Sequence, residues 1–175
     1  MKPPRFLASG GGRVALVRFT AALVASFPAW ADDALRNWFD DPFFQLSADV
    51  PDCPLPAGPF IDENERRVQS HHRAERGTTC WLTKECDRKN SYAYDADIAS
   101  ALEAALNERK PFAGTSLWVT VQGRIVYIEG CVAQEARAGE IEAFARGVPY
   151  VQQAIAIVRS DPSEQVPYRL RVPRQ

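Results

Sequence analysis

Six side chains in this 175-residue sequence have the chemistry to act in concert as nucleophiles or metal ligands: Cys53, Cys80, Cys86, Cys131, His71 and His72. The histidines are adjacent in a charged segment that reads as helix. Successive helical side chains diverge by about 100 degrees, so the two do not easily share a metal ion and read as solvated positions. Cys80 and Cys86 do not combine with them at a zinc-site spacing. No G-x-S-x-G, Gly-rich phosphate loop or H-E-x-x-H motif carries a site. Asp40-Asp41 and Glu63/Glu65 are paired acids, but such pairs more often serve as caps and solvated faces than as catalytic dyads. No catalytic residue, metal ligand or cofactor is expected, which leaves the cysteines to one another.

The first thirty residues indicate what oxidises them. Lys2, Arg5, Arg13 and Arg18 precede the apolar run Phe19 to Phe27, and Pro28-Ala29-Trp30-Ala31 closes it before Asp32-Asp33. A basic stretch, a short apolar stretch and an A-x-A site are the three parts of a secretory signal peptide, here residues 1–31 with cleavage after Ala31. The apolar run is far short of the roughly 20 residues of a spanning helix. Gly10-Gly11-Gly12 falls within this leader, and the first cysteine, Cys53, stands too far from the cleavage site to carry a lipid anchor. The expected location is periplasmic, where an even number of cysteines forms disulfides. Four cysteines allow three connectivities. The short Cys80–Cys86 loop can close locally, which would leave Cys53 for Cys131.

Cleavage removes four basic residues and no acidic ones, leaving 17 Lys and Arg against 22 Asp and Glu, a net charge of −5. That balance excludes nucleic acid as the expected partner and disfavours simple attraction to anionic lipid, which uses polybasic stretches. Residues 32–92 read as a Pro-rich, disulfide-containing extension, punctuated by Pro42, Pro51, Pro54, Pro56 and Pro59. Trp38, Phe39, Phe43, Phe44 and Leu46 form an aromatic cluster expected to pack on the domain that follows. Asp62-Glu63-Asn64-Glu65 has the form of a capping box and starts a polar helix expected to end at Gly77.

From Asp95 the pattern changes. Ile98, Leu102 and Leu106 repeat at helical spacing. Leu117, Val119 and Val121 then alternate with Trp118, Thr120 and Gln122, and a second alternating run follows from Ile125 to Val132. The two make a hairpin over Gln122-Gly123-Arg124. Ala133 to Arg146 reads as a helix with Ala136, Ile141 and Phe144 on its apolar side and Gly147 as its cap. Val151 to Val158 is a last strand. The fold class is α+β: a two-layer α/β sandwich of order α-β-β-α-β over residues 93–161, two helices on a three-stranded sheet, with residues 162–175 as a tail. Within that tail Tyr168, Leu170 and Val172 alternate with Arg169 and Arg171, a pattern that fits an added edge strand, a small basic site or a loose end.

Asp97-Ile98 with Leu106, Leu117 to Val121 with Gln122-Gly123, Val126-Tyr127-Ile128-Glu129-Gly130-Cys131-Val132, Gly147-Val148, and Val151, Ile155 and Ile157 together resemble the BON domain family, the bacterial osmotically inducible and nodulation domain. The resemblance covers about residues 95–161, in a single copy. It implies a non-enzymatic binding module of the cell envelope that associates with phospholipid or the membrane surface and supports osmotic-stress integrity. A disulfide-stabilised module that binds another envelope protein is the alternative. Gln153, where the family often has Asn, and Pro149, between the second helix and last strand, depart from its pattern.

Strand alternation sorts the sheet into two faces. Leu117, Val119, Val121, Val126, Ile128, Val151, Ile155 and Ile157 fit the helix-covered face. Trp118, Thr120, Ile125, Tyr127, Cys131, Ala154, Ala156 and Val158 fall on the other, which is too apolar to face water. The extension is expected to lie across it, with Cys131 bonded to an upstream cysteine and Phe43 and Phe44 packed near Trp118 and Tyr127.

Overall fold

The computed structural model describes residues 35–109, 112–133, 137–161 and 163–171. The expected signal peptide, its cleavage site, Ala136 and Val172 lie outside the described residues. The chain runs β1 (Phe43–Ala48), α1 (Glu63–Leu82), a 3-10 turn (Ser91–Tyr94), α2 (Asp95–Arg109), β2 (Thr115–Gln122), β3 (Ile125–Val132), α3 (Arg137–Arg146) and β4 (Gln153–Arg159). The α+β class and the α-β-β-α-β order of the C-terminal half are as expected.

The sheet has four strands in the order β1-β2-β3-β4 rather than three. Phe43–Ala48, read as part of an irregular extension, pairs antiparallel with β2 along its free edge, with a bulge between Gln45 and Ser47. The hairpin of β2 and β3 closes over Gly123 and Arg124, whose φ values of 62° and 69° give the primed turn that matches strand twist. β4 returns parallel to β3 after the crossover through α3.

Helices α2 and α3 cover one face. Ile98 and Leu102 of α2 and Ile141 of α3 pack on Leu117, Val119, Val121, Val126 and Ile128, all at most 1% exposed. Each such side chain contributes about 1.5–3 kcal/mol. Phe112 meets Phe144 of α3 edge-on, ring centroids 5.1 Å apart. The faces of β4 are the reverse of those expected. Its parallel register aligns Val126 with Ala154 and Ile128 with Ala156, so the alanines and Val158 face the helices. Ile155 and Ile157 align with Tyr127 and Glu129 on the opposite face. Every residue from Ala154 to Val158 is apolar, so alternation alone had no polar side to orient the strand; Val151, just before it, does pack on the core. Glu142 of α3 accepts the Ala156 N–H at 3.1 Å along the outer edge of β4, and that bond, before its ion pair with Arg146, lowers the Glu142 pKa.

Gly77 behaves differently from expectation. Helix α1 does not stop at Gly77 but continues to Leu82. A Cβ on Gly77 would sit 2.9 Å from Asn90 Oδ1, so the glycine permits close approach of the segment after the helix. Gly130, at φ 149°, lies opposite Leu117 in an unbroken ladder with no bulge, and a Cβ there would overlap the Ser116 carbonyl oxygen. Gly147 follows α3 without entering the left-handed region; its N–H reaches the carbonyls of Ala143 and Phe144.

Asp95, 3% exposed at the start of α2, accepts the turn N–H groups of Gly123 at 2.6 Å and Arg124 at 2.8 Å. Burial raises its pKa to about 6, against the opposing pull of those two bonds. The folded protein therefore holds a proton there that the unfolded chain releases near its ordinary value of 3.8. Stability from this group is fullest below that value and declines as pH rises toward 6, by about 3 kcal/mol in all. Urea unfolding of Asp95→Asn should show a flatter pH dependence between pH 4 and 6.5 than the parent. Parallel curves would contradict the assignment.

Candidate functional site

The sheet face opposite α2 and α3 is where the expected binding or packing residues converge. Phe43 pairs with Thr120 on that face and meets Phe60 edge-on at 5.8 Å. Trp118 and Tyr127 lie on it, both half-buried. Phe44 does not: its partner is Val119, and it packs into the helix-covered core with Leu46. Phe43 and Phe44 therefore join the sheet as an edge strand instead of roofing it. Trp118 faces Gln45 on one side and Glu129 on the other.

The cover comes from later in the extension. Cys53 bonds Cys131, with Cα atoms 5.9 Å apart, pinning the extension to the end of β3. Tyr168 is buried over that bridge, its hydroxyl 3.7 Å from Cys53 Sγ and donating to the Pro54 carbonyl at 2.9 Å. The tail is not loose, since Leu170 forms a bridge with Pro56 and Ala57 N–H donates to the Arg169 carbonyl at 2.7 Å. Arg171 lies 3.7 Å above the Phe60 ring.

Helix α1 begins in the expected capping box. Glu65 N–H donates to Asp62 Oδ1 at 2.8 Å, and Asp62 N–H to Glu65 Oε2 at 3.2 Å. It is held against the sheet side by one buried ion pair: Arg73 grips both carboxylate oxygens of Asp41, 5% exposed, and Gln122 donates to the same carboxylate at 2.9 Å. The Arg73 guanidinium is sandwiched 3.9 Å from the Phe39 ring and 4.6 Å from that of Tyr92. Asp41, one of the acids expected to be solvated, is thus structural. Trp38 and Phe39 pack within the extension instead of on the domain that follows, Trp38 donating to the Ile61 carbonyl at 2.8 Å and Phe39 lying against Arg73.

Between this cover and the sheet lies a cleft of about 310 Å³. Thr120, Gln122, Tyr127 and Glu129 line its sheet side, Gln69 of α1 and Arg169 its rim. The Thr120 hydroxyl is buried without a hydrogen-bond partner. Glu129 is half-buried, and burial raises its carboxyl pKa against the weaker pull of Arg169. Neither residue was singled out in the sequence for chemistry; alternation placed Thr120 on this face but could not show that it would be covered.

A second feature lies at the far end of α1. Cys80 and Cys86, Cα atoms 5.4 Å apart, close a loop that presents Trp81 and Leu82, 42% and 74% exposed, beside Lys84. His71 and His72 are exposed on α1, His71 3.4 Å from Glu75. Among the described residues no group of three His, Cys, Asp or Glu side chains could hold a metal ion, and no helix is long and apolar enough to cross a membrane.

Residues 94–156, from the foot of α2 into β4, match the family model of the BON domain. No curated protein and no solved structure matches the chain.

The two bridges should differ in weight. In the loop-entropy account, closing the 78-residue separation of Cys53 and Cys131 stabilises by about 4 kcal/mol and the six-residue separation of Cys80 and Cys86 by about 2. Urea unfolding of the two Cys→Ser double variants should rank them in that order, and a non-reduced digest should contain the Cys53–Cys131 peptide. Equal losses, or a free Cys131 thiol, would count against this arrangement.

Proposed function

Because this chain carries a BON domain, a family that is generally non-catalytic, we propose that it is an exported, periplasmic binding protein that associates with phospholipid at the membrane surface and supports envelope integrity under osmotic stress. The family match carries this reading. Export is supported by the residues of the leader and by the pairing of all four cysteines, which an oxidising compartment favours.

The surface best suited to lipid is the bridged tip of α1. Trp81 and Leu82 offer apolar area to the interfacial region of a bilayer, where tryptophan is favoured, and Lys84 stands at headgroup level. The Cys80–Cys86 bridge fixes the loop before contact, so little ordering is lost on binding. With a net charge of −5 after leader removal, attachment rests on apolar insertion rather than on a basic patch.

Co-sedimentation with phosphatidylethanolamine and phosphatidylglycerol vesicles tests this. Binding should change little between low and physiological salt and fall about tenfold or more in Trp81→Ala/Leu82→Ala, since each side chain inserts about 1.5–3 kcal/mol of apolar surface. Absence of binding at low salt would favour the second reading, a disulfide-stabilised module for another envelope protein. The extension's occupation of the outer sheet face is what supports that alternative.

A further inference from the structure

We propose that the cleft between the outer sheet face and the extension is a binding site for a primary ammonium group. Its acceptors are what carry the assignment. Thr120, 6% exposed, lines the cleft, and its hydroxyl oxygen is buried with no partner in the protein. A buried hydroxyl left unpaired is unfavourable, and a ligand donor would recover that loss. Glu129, on the neighbouring strand and two pairs further along the ladder on the same face, brings a half-buried carboxylate to the same space. Gln122 directs its amide nitrogen to Asp41, and its amide oxygen is a further acceptor on this residue. Tyr127, opposite Thr120, adds a phenol oxygen.

The charge of the cleft selects among donors. Arg169 also lines the cleft and acts on Glu129, but it is paired with Glu65 and donates to the Phe60 carbonyl at 2.8 Å, so Glu65, Glu129 and Arg169 together carry one net negative charge. Glu129 leaves the interior with one negative charge, desolvated enough to gain from a cation. An ammonium group supplies three N–H donors and that charge, where a hydroxyl supplies one donor and none of the charge. A quaternary ammonium supplies the charge without the donors, and nothing in the wall replaces them. The site stands whether or not the protein meets a membrane. The same group is found on free phosphoethanolamine and on the headgroup of phosphatidylethanolamine, and the cleft accepts either.

Binding to the full-length protein with both bridges formed distinguishes these cases. In an amide NMR titration, free phosphoethanolamine should shift Thr120, Tyr127 and Glu129 and bind about tenfold or more tightly than phosphocholine. Glu129→Gln should weaken it about tenfold, and Thr120→Val, which keeps the shape and removes the hydroxyl, by about three- to tenfold. Urea midpoints at or above that of the parent establish that both variants are folded. Binding confined to phosphatidylethanolamine vesicles over phosphatidylcholine vesicles, and lost in Glu129→Gln, would support the site and identify the lipid headgroup as its source. Equal affinity for phosphocholine, no binding in either format, or binding untouched by both substitutions would overturn it. Vesicle binding that survives in both variants but depends on Trp81 and Leu82 would leave the membrane reading intact while removing the ammonium site.

Discussion

The ion pair between Arg73 and Asp41 is the point on which the extension's fold turns. Asp41 stands just before the edge strand, Arg73 in the middle of α1, and Gln122 at the end of β2 donates to the same carboxylate. Three separate segments are thereby registered at one buried carboxylate. Burying such a pair brings little net stability over an apolar substitute, but removing one partner strands the other in a low-dielectric interior, at about 3–5 kcal/mol. Phe39 and Tyr92 on either side of the guanidinium exclude water and fix its plane. With α1 so placed, its Gln69 side closes the cleft over the sheet and its far end carries Trp81 outward.

Much of the C-terminal half was readable from residue spacing because its signals are local. The helical repeat of Ile98, Leu102 and Leu106 and the alternation from Leu117 to Val132 each contrast apolar with other residues at a single period. The edge strand was hidden for the opposite reason. Phe43 to Leu46 sits between prolines, and its alternation of faces serves two different apolar environments, Thr120's side and Val119's side, so no polar contrast marks it. Long-range pairing with a strand some seventy residues later supplies what the local pattern lacks. The same absence of contrast reversed the faces of β4, where alanines fit beneath the helices and isoleucines fill the wider space opposite.

The polar residues of the outer face show a different limit. Sequence parity put Thr120 and Tyr127 on a face too apolar to be bare and so implied a cover, and Cys131 implied a bridge to hold it. It could not show that the cover stands off from the sheet, because that depends on α1 approaching through long polar side chains rather than an apolar seam. The result is a cleft of mixed lining, with Thr120, Gln122 and Glu129 beside Pro59, Ile61 and Ile157, in place of a second closed core. Gly77 shows the converse, a residue read as a helix stop that is retained inside the helix because Asn90 presses against it.

The spacing of the cysteines also sets the order in which the chain can be oxidised correctly. Along the chain Cys53 lies 27 and 33 residues from Cys80 and Cys86 but 78 from Cys131. Loop-closure entropy favours the nearest pairing, and a six-residue closure outcompetes the 27-residue and 33-residue alternatives open to Cys53. With Cys80 and Cys86 bonded to each other, Cys131 is the one thiol left for Cys53, and it stands at the end of β3, an interior strand of the sheet. The small bridge at the tip of α1 thus removes from Cys53 the two partners that loop-closure entropy would otherwise favour over Cys131.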